Sequence, residues 1–167
     1  MLRMTKQTDY GIVLMTHFAG APDAQHSAPE LAAALSIPPP MVSKILKLLA
    51  RDGLLLSHRG VRGGYTLARD PAVISVASVV AALEGPIAMT ECVEAGHGQG
   101  HDCLREPICA VRTHWQVINR VVFEALENIS LAEMTRPAGA SELVHLGGRR
   151  AFPGALASAP VSPASRL

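Results

Sequence analysis

Aromatic side chains are scarce in this chain, at 4% of its 167 residues, and cysteine is scarcer still, with three. With so few rings the core must be aliphatic, and a hydrophobic content of 49% is enough to build one. No apolar run approaches the roughly eighteen residues that cross a bilayer, so a soluble, cytoplasmic protein is expected. Met1 to Phe18 carries Arg3, Lys6 and Asp9, which does not suit a secretory leader. Internal repeats, a phosphate-cradling glycine loop and a nucleophile–base constellation are all missing, which argues against an enzyme. Acidic residues are thin in one stretch. Between residues 43 and 62, Lys44, Lys47, Arg51, Arg59 and Arg62 stand against Asp52 alone, although the formal charge of the whole chain is only +1. Such a patch suits a polyanion.

Tyr10, Val13, Leu14, His17 and Phe18 recur at helical spacing and predict a first helix from near Thr8, ended by Gly20 and Pro22. Ser27 to Glu30 has the form of a capping box and opens a short helix to about Leu35. Prolines at 38 to 40 break that helix and can also start a third, where backbone donors lack partners anyway; it should run to Asp52 and stop at Gly53. On it Met41, Ile45, Leu48 and Leu49 face one way, and Ser43, Lys44, Lys47 and Arg51 the other. A basic, amphipathic second helix of a helix-turn-helix pair is what a major groove admits. "LLLSH" and "YTL" then read as strands joined by "RGVRGG", a hairpin whose glycines permit a tight turn. A hairpin tip with two arginines directly after a helix-turn-helix is a wing. Ser43, Lys44, Lys47 and Arg51 are the expected contacts from the helix, and Arg59, Arg62, Gly63, Gly64 and Tyr65 those from the wing.

Beyond the wing, Ser75 caps a helix that ends at Glu84 before Gly85 and Pro86. From Pro107 a long helix is expected, with Val111, Trp115, Ile118, Val122, Ala125 and Ile129 forming an apolar stripe that packs on its own domain or on a second copy. "SLAE" caps one last turn, and residues 137–167, rich in Ala, Gly, Ser and Pro, read as a disordered tail. The expected fold is mainly α with a small β-hairpin wing: a winged helix-turn-helix over 1–85, a cysteine-rich loop over 86–108, then a dimerisation helix and short turn over 109–136.

Cys92, Cys103 and Cys109 all lie in or beside that loop. Disulfide pairing would leave one thiol over, so a metal, a cluster or a redox-sensing thiol is the better reading. Ten residues separate the first pair and five the second. Structural zinc favours shorter spacings, although His97, His101 or His114 could complete a Cys3His zinc site. An electron-transfer protein with an incidental basic surface is a further class.

"TDYGIVL", "VSKILKLLARDGLL", "RGVRGGYTLARD", "ISVASVVAALEGPIAMTEC" and "LAEMTRP" together resemble the winged-helix iron–sulfur regulator family that includes IscR and NsrR, most closely its branch regulating the SUF assembly operon. The resemblance spans about residues 1 to 137. It implies a homodimeric transcriptional regulator, a repressor on a pseudo-palindromic operator, with a [2Fe–2S] or [4Fe–4S] cluster on Cys92, Cys103 and Cys109. Arg112 stands where IscR has a histidine ligand, and arginine stays protonated. The NsrR branch instead takes a carboxylate from the partner's first helix, a motif that falls on Asp9. Ser43 and Lys44 replace an acid and an amide by which IscR reads bases, so its operator is not expected to transfer.

Overall fold

Capping and breaking residues account for where the elements begin and end in the computed structural model, which describes residues 4–60, 63–90 and 109–136. Thr5 caps α1 (Lys6–Gly20) by accepting from the Thr8 amide at 3.3 Å. α2 (Ala28–Leu35) starts on the capping box: the Ser27 amide donates to Glu30 Oε2 at 2.8 Å and the Glu30 amide to Ser27 Oγ at 3.4 Å. α3 (Pro39–Arg51) opens on prolines and ends before Gly53, whose φ of +72° suits a residue without a side chain. β1 (Leu55–His58) and β2 (Gly64–Leu67) pair antiparallel, with Leu55 opposite Leu67 and His58 opposite Gly64. A single 3-10 turn, Pro71–Val73, leads to α4 (Val76–Glu84), which Ser75 caps and Gly85 ends at φ +91°. α5 (Arg112–Glu127) and the one-turn α6 (Leu131–Met134) follow, and Ser130 and Glu133 form a second capping box on α6. The architecture is the expected one, mainly helical with a two-stranded hairpin.

Helix positions follow the expectations more closely than helix faces do. The buried side of α1 is Thr8, Gly11, Leu14, Met15 and Phe18, while Val13 is 41% exposed and Tyr10 and His17 are half-buried. The stripe is rotated because Gly11 lets α4 approach: a Cβ there would lie 2.1 Å from Leu83 Cδ1. On α3 the fully buried residues are Val42, Ile45, Leu46 and Leu49, with Met41 and Leu48 half-buried at the margins, since this helix packs against α1, α2, α4 and β1 at once.

The expected stripe on α5 straddles two faces. Trp115, Asn119, Val122 and Leu126 are half-buried along the side turned to its own chain, whereas Ile118 is 42% exposed and Ala125 is exposed as well. The helix expected from Pro107 begins instead at Arg112: Cys109 to Val111 are not helical, and Val111, expected on the stripe, is 52% exposed ahead of the first turn, while Pro107 itself lies outside the described residues. The far end of α5 is bonded to the head: Ser75 Oγ donates to Glu127 Oε2 at 2.6 Å, the Val76 amide to the Ile129 carbonyl at 2.8 Å, and the Leu131 amide to the Ile74 carbonyl at 2.9 Å. Leu131 is fully buried in the same core as Leu14 and Ile45. α6, grouped with the long helix on sequence, therefore shares the core of the winged head, and Met1–Arg136 forms one compact unit.

Candidate nucleic-acid interface and sensor site

The helical phase that buries Val42, Ile45, Leu46 and Leu49 forces Lys44, Lys47 and Arg51 outward, and all three are exposed. Ser43 is half-buried beside them. Arg51 Nε lies 3.1 Å from Asp52 Oδ1, an exposed pair of small energetic weight that leaves the other guanidinium nitrogens available. Ahead of this row the α2–α3 turn is tight, with Ser36 in the left-handed region at φ +53° and Ile37 anchored in the core.

Arg59 is exposed where β1 runs into the hairpin tip, and Arg62 lies outside the described residues. Gly60 has a φ of +111°, which an L side chain rarely adopts. The next glycines serve close backbone packing. A Cβ on Gly63 would sit 2.7 Å from the His58 carbonyl oxygen, and one on Gly64 2.7 Å from that of His26. Gly64 is buried, and the space a side chain would need is held by the His26 carbonyl. Tyr65 is half-buried and exchanges two backbone bonds with His26, at 3.0 and 2.9 Å. The wing is thus tied at its base to the segment before α2. Across its strands, His58 Nε2 and Thr66 Oγ1 lie 2.9 Å apart.

His26 also meets α1. Its ring is edge-on to His17 and Phe18, with centroids 5.0 and 5.3 Å away. Burial, and then the charge of His17, pushes its pKa below the ordinary histidine value, so the neutral ring is favoured. The sequence pattern carried no signal for this, because the bridge to the wing is made by backbone.

Of the expected sensor ligands, Cys109 is described: a free, half-buried cysteine just before α5. Cys92, Cys103, His97 and His101 lie outside the described residues. His114 is exposed on the first turn of α5, and Arg112 is half-buried beside it. Among the described residues no three His, Cys, Asp or Glu side chains converge as a metal site. Among the described residues no side chain caps the first turn of α5, and its positive end faces the segment bearing Cys109, a setting that suits thiolates and an anionic cluster. Asp9 is exposed on α1, with no side-chain partner among the described residues, and lines a surface hollow with Met4, Thr5 and Lys6.

Two polar groups escaped the sequence reading. Glu84, at the end of α4, accepts from the hydroxyls of Thr5 and Thr8, and Gln7 Nε2 donates to the Leu83 carbonyl at 3.0 Å. Donation by Thr5 first, and Thr8 next, holds the Glu84 carboxyl below the usual carboxylate range. This ties the turn bearing Asp9 to the end of α4. The second group is Asn119, in the middle of α5, whose side-chain oxygen accepts from the Met89 amide at 3.0 Å while its nitrogen donates to the Ile87 carbonyl at 3.1 Å. A purely apolar count along α5 passes over it.

The Rrf2 family, described as iron-dependent transcriptional regulators, matches residues 4–137. The chain is 30% identical over 135 residues to the HTH-type transcriptional regulator NsrR of Geobacillus kaustophilus, covering 80% of this chain and 89% of that protein. Its fold is similar to that of CymR, the global cysteine regulator of B. subtilis, at 25% identity and a TM-score of 0.62 over 81% of this chain and 97% of CymR. T. potens IscR shares the fold at 24% identity and a TM-score of 0.62, over 84% of this chain and 91% of that one.

Proposed function

The chain belongs to the Rrf2 family of winged-helix transcriptional regulators, and from that premise we propose that it senses an iron–sulfur cluster and represses genes for iron–sulfur assembly, those of the SUF type. One observation carries the sensing reading. Cys109 sits at the electropositive start of α5, its carbonyl accepting from the Arg112 amide at 3.3 Å, and the other end of that helix is bonded to the DNA-reading head through Glu127 and Ile129. Chemistry at the thiols therefore has a mechanical route to the head.

Lys44, Lys47 and Arg51 lie along phosphates or base edges, with Ser43 beside them, and Arg59 and Arg62 reach a groove from the wing. Gly63, Gly64 and Tyr65 hold the wing in shape for that approach. Cys92, Cys103 and Cys109 hold a [2Fe–2S] or [4Fe–4S] cluster. When bound, the cluster supplies a centre that iron scarcity or oxidation can alter or remove. Asp9 of a second copy completes its ligands, a harder and weaker donor than thiolate. α5 supplies the dimer contact: Val117, Ile118 and Val121 are 53%, 42% and 41% exposed on its outward side. Pairing two such helices sets two basic α3 helices on the half-sites of a pseudo-palindromic operator.

The likeness to CymR favours a second reading, in which the same cysteines respond by oxidation without a cluster. Anaerobic purification followed by iron, zinc and acid-labile sulfide analysis and a visible spectrum separates the readings. The cluster reading expects iron and sulfide with visible absorbance, lost on replacing Cys92, Cys103 or Cys109 with Ala. Stoichiometric zinc, or fully regulated DNA binding without iron, contradicts it.

A further inference from the structure

We propose that Asn119 is a positioning residue that couples the segment leading into the cysteine loop to α5 and, through α5, to the DNA-reading head. The proposal rests on the sensing reading above and names the contact that transmits it.

α4 ends at Gly85, where φ turns to +91°, so the backbone that follows must find hydrogen-bond partners outside any helix. Asn119 supplies two of them, accepting from the Met89 amide and donating to the Ile87 carbonyl. An amide half-buried between Trp115 and Val122 would cost free energy if unsatisfied; here both its oxygen and its nitrogen are used on this one segment. Leucine would keep the packing and lose both bonds. Aspartate would still accept from Met89, but it would set a carboxylate against the Ile87 carbonyl.

Cys92 lies three residues beyond Met89, a tether of at most about 11 Å. Fixing the Cys92 thiol in the proposed site would therefore restrict where Met89 can lie. From Asn119, α5 runs eight residues, about 12 Å, to Glu127. There Ser75 and the Ile129-to-Val76 bond tie it to the start of α4, and Leu131 ties it to Ile74. The covalent link from this segment back to α4 runs through Gly85, at a φ of +91°.

The test compares full-length wild type, Asn119→Leu and Asn119→Asp on a duplex selected by the wild type from random sequence. Affinity is measured after anaerobic reconstitution with ferrous iron and sulfide, and again after stripping with a chelator. Wild type is expected to differ about tenfold or more between the two states, within the usual range of coupling. In Asn119→Leu that ratio falls to within about twofold of one, with iron content and stripped-state affinity kept, and exchange of the Met89 amide is faster. Asn119→Asp keeps the Met89 bond and an intermediate ratio, and it stands as the test should the leucine variant fold poorly. A purely structural role would lower both affinities by one factor and preserve the ratio, which overturns the proposal. A wild-type ratio of one overturns the sensing reading itself and the coupling role with it.

Discussion

α3 and α5 are amphipathic helices of thirteen and sixteen residues, put to opposite uses. α3 buries Val42, Ile45, Leu46 and Leu49 completely within its own chain; α5 buries none of its residues completely and leaves Val117, Ile118, Val121 and Phe123 more than 40% exposed. The winged head is finished by one chain. Among the described residues α5 is held along one side, where Asn119 and Glu127 make polar contacts beside half-buried Trp115, Val122 and Leu126. The difference leaves on α5 an apolar face that the proposed second copy would cover, away from the basic row of α3.

The comparison breaks most sharply in the core. Leu46→Ala removes a fully buried side chain of α3 and is expected to cost about 2 to 5 kcal/mol in denaturant unfolding, whereas Val121→Ala on α5 should cost under about 1 kcal/mol. Equal losses would mean that α5 is as much a part of the core as α3. The converse holds for assembly. Ile118→Glu with Val121→Glu should convert a dimer to a monomer in light scattering while leaving the circular dichroism of the head intact. A double variant that keeps the dimer mass would remove this face from the interface.

On the reading surface the expected effects are smaller. Arg59→Ala should lose about 1 to 3 kcal/mol on the preferred duplex and much less on random DNA if it makes a bidentate base contact. Lys47→Ala and Arg51→Ala should weaken all sequences alike and flatten the dependence of log affinity on log salt by about one unit each. An unchanged slope in fluorescence anisotropy would take them off the phosphates. The least effect is expected at the α1–α4 latch. Because the folded Glu84 pKa is lowered, its stabilisation is complete above the ordinary glutamate value and is lost as pH falls through the lower folded value. Thermal melts of Glu84→Gln should therefore be slightly less stable than wild type at neutral pH and converge with it in acid; parallel curves would show that the latch carries no charge dependence.

The ends of the elements were legible in the sequence because they are local. Ser27 with Glu30, Ser75, Ser130 with Glu133, Gly53 and Gly85 act on backbone within a turn of themselves, and each stands where its chemistry placed it. The faces were harder to read, since they depend on what arrives from elsewhere. Gly11 is buried because Leu83 needs its space, and Thr8 is buried because Glu84 takes its hydroxyl. Asn119 belongs to a packed face although hydropathy would place it outside. The basic row on α3 was visible as a pattern, because side chains opposite an apolar stripe have only solvent to face. The attachment of the wing through His26 and Tyr65 was not, since backbone pairing leaves no residue signature.

The central claim is that the state of the cysteines reaches the reading head through α5. Its most direct test is the affinity of one preparation of full-length protein for its selected duplex, titrated anaerobically with iron and sulfide bound and again after stripping, at a single fixed salt concentration. The account predicts affinities about tenfold or more apart, with the difference abolished by Cys109→Ala. Identical affinities in the two states would contradict it.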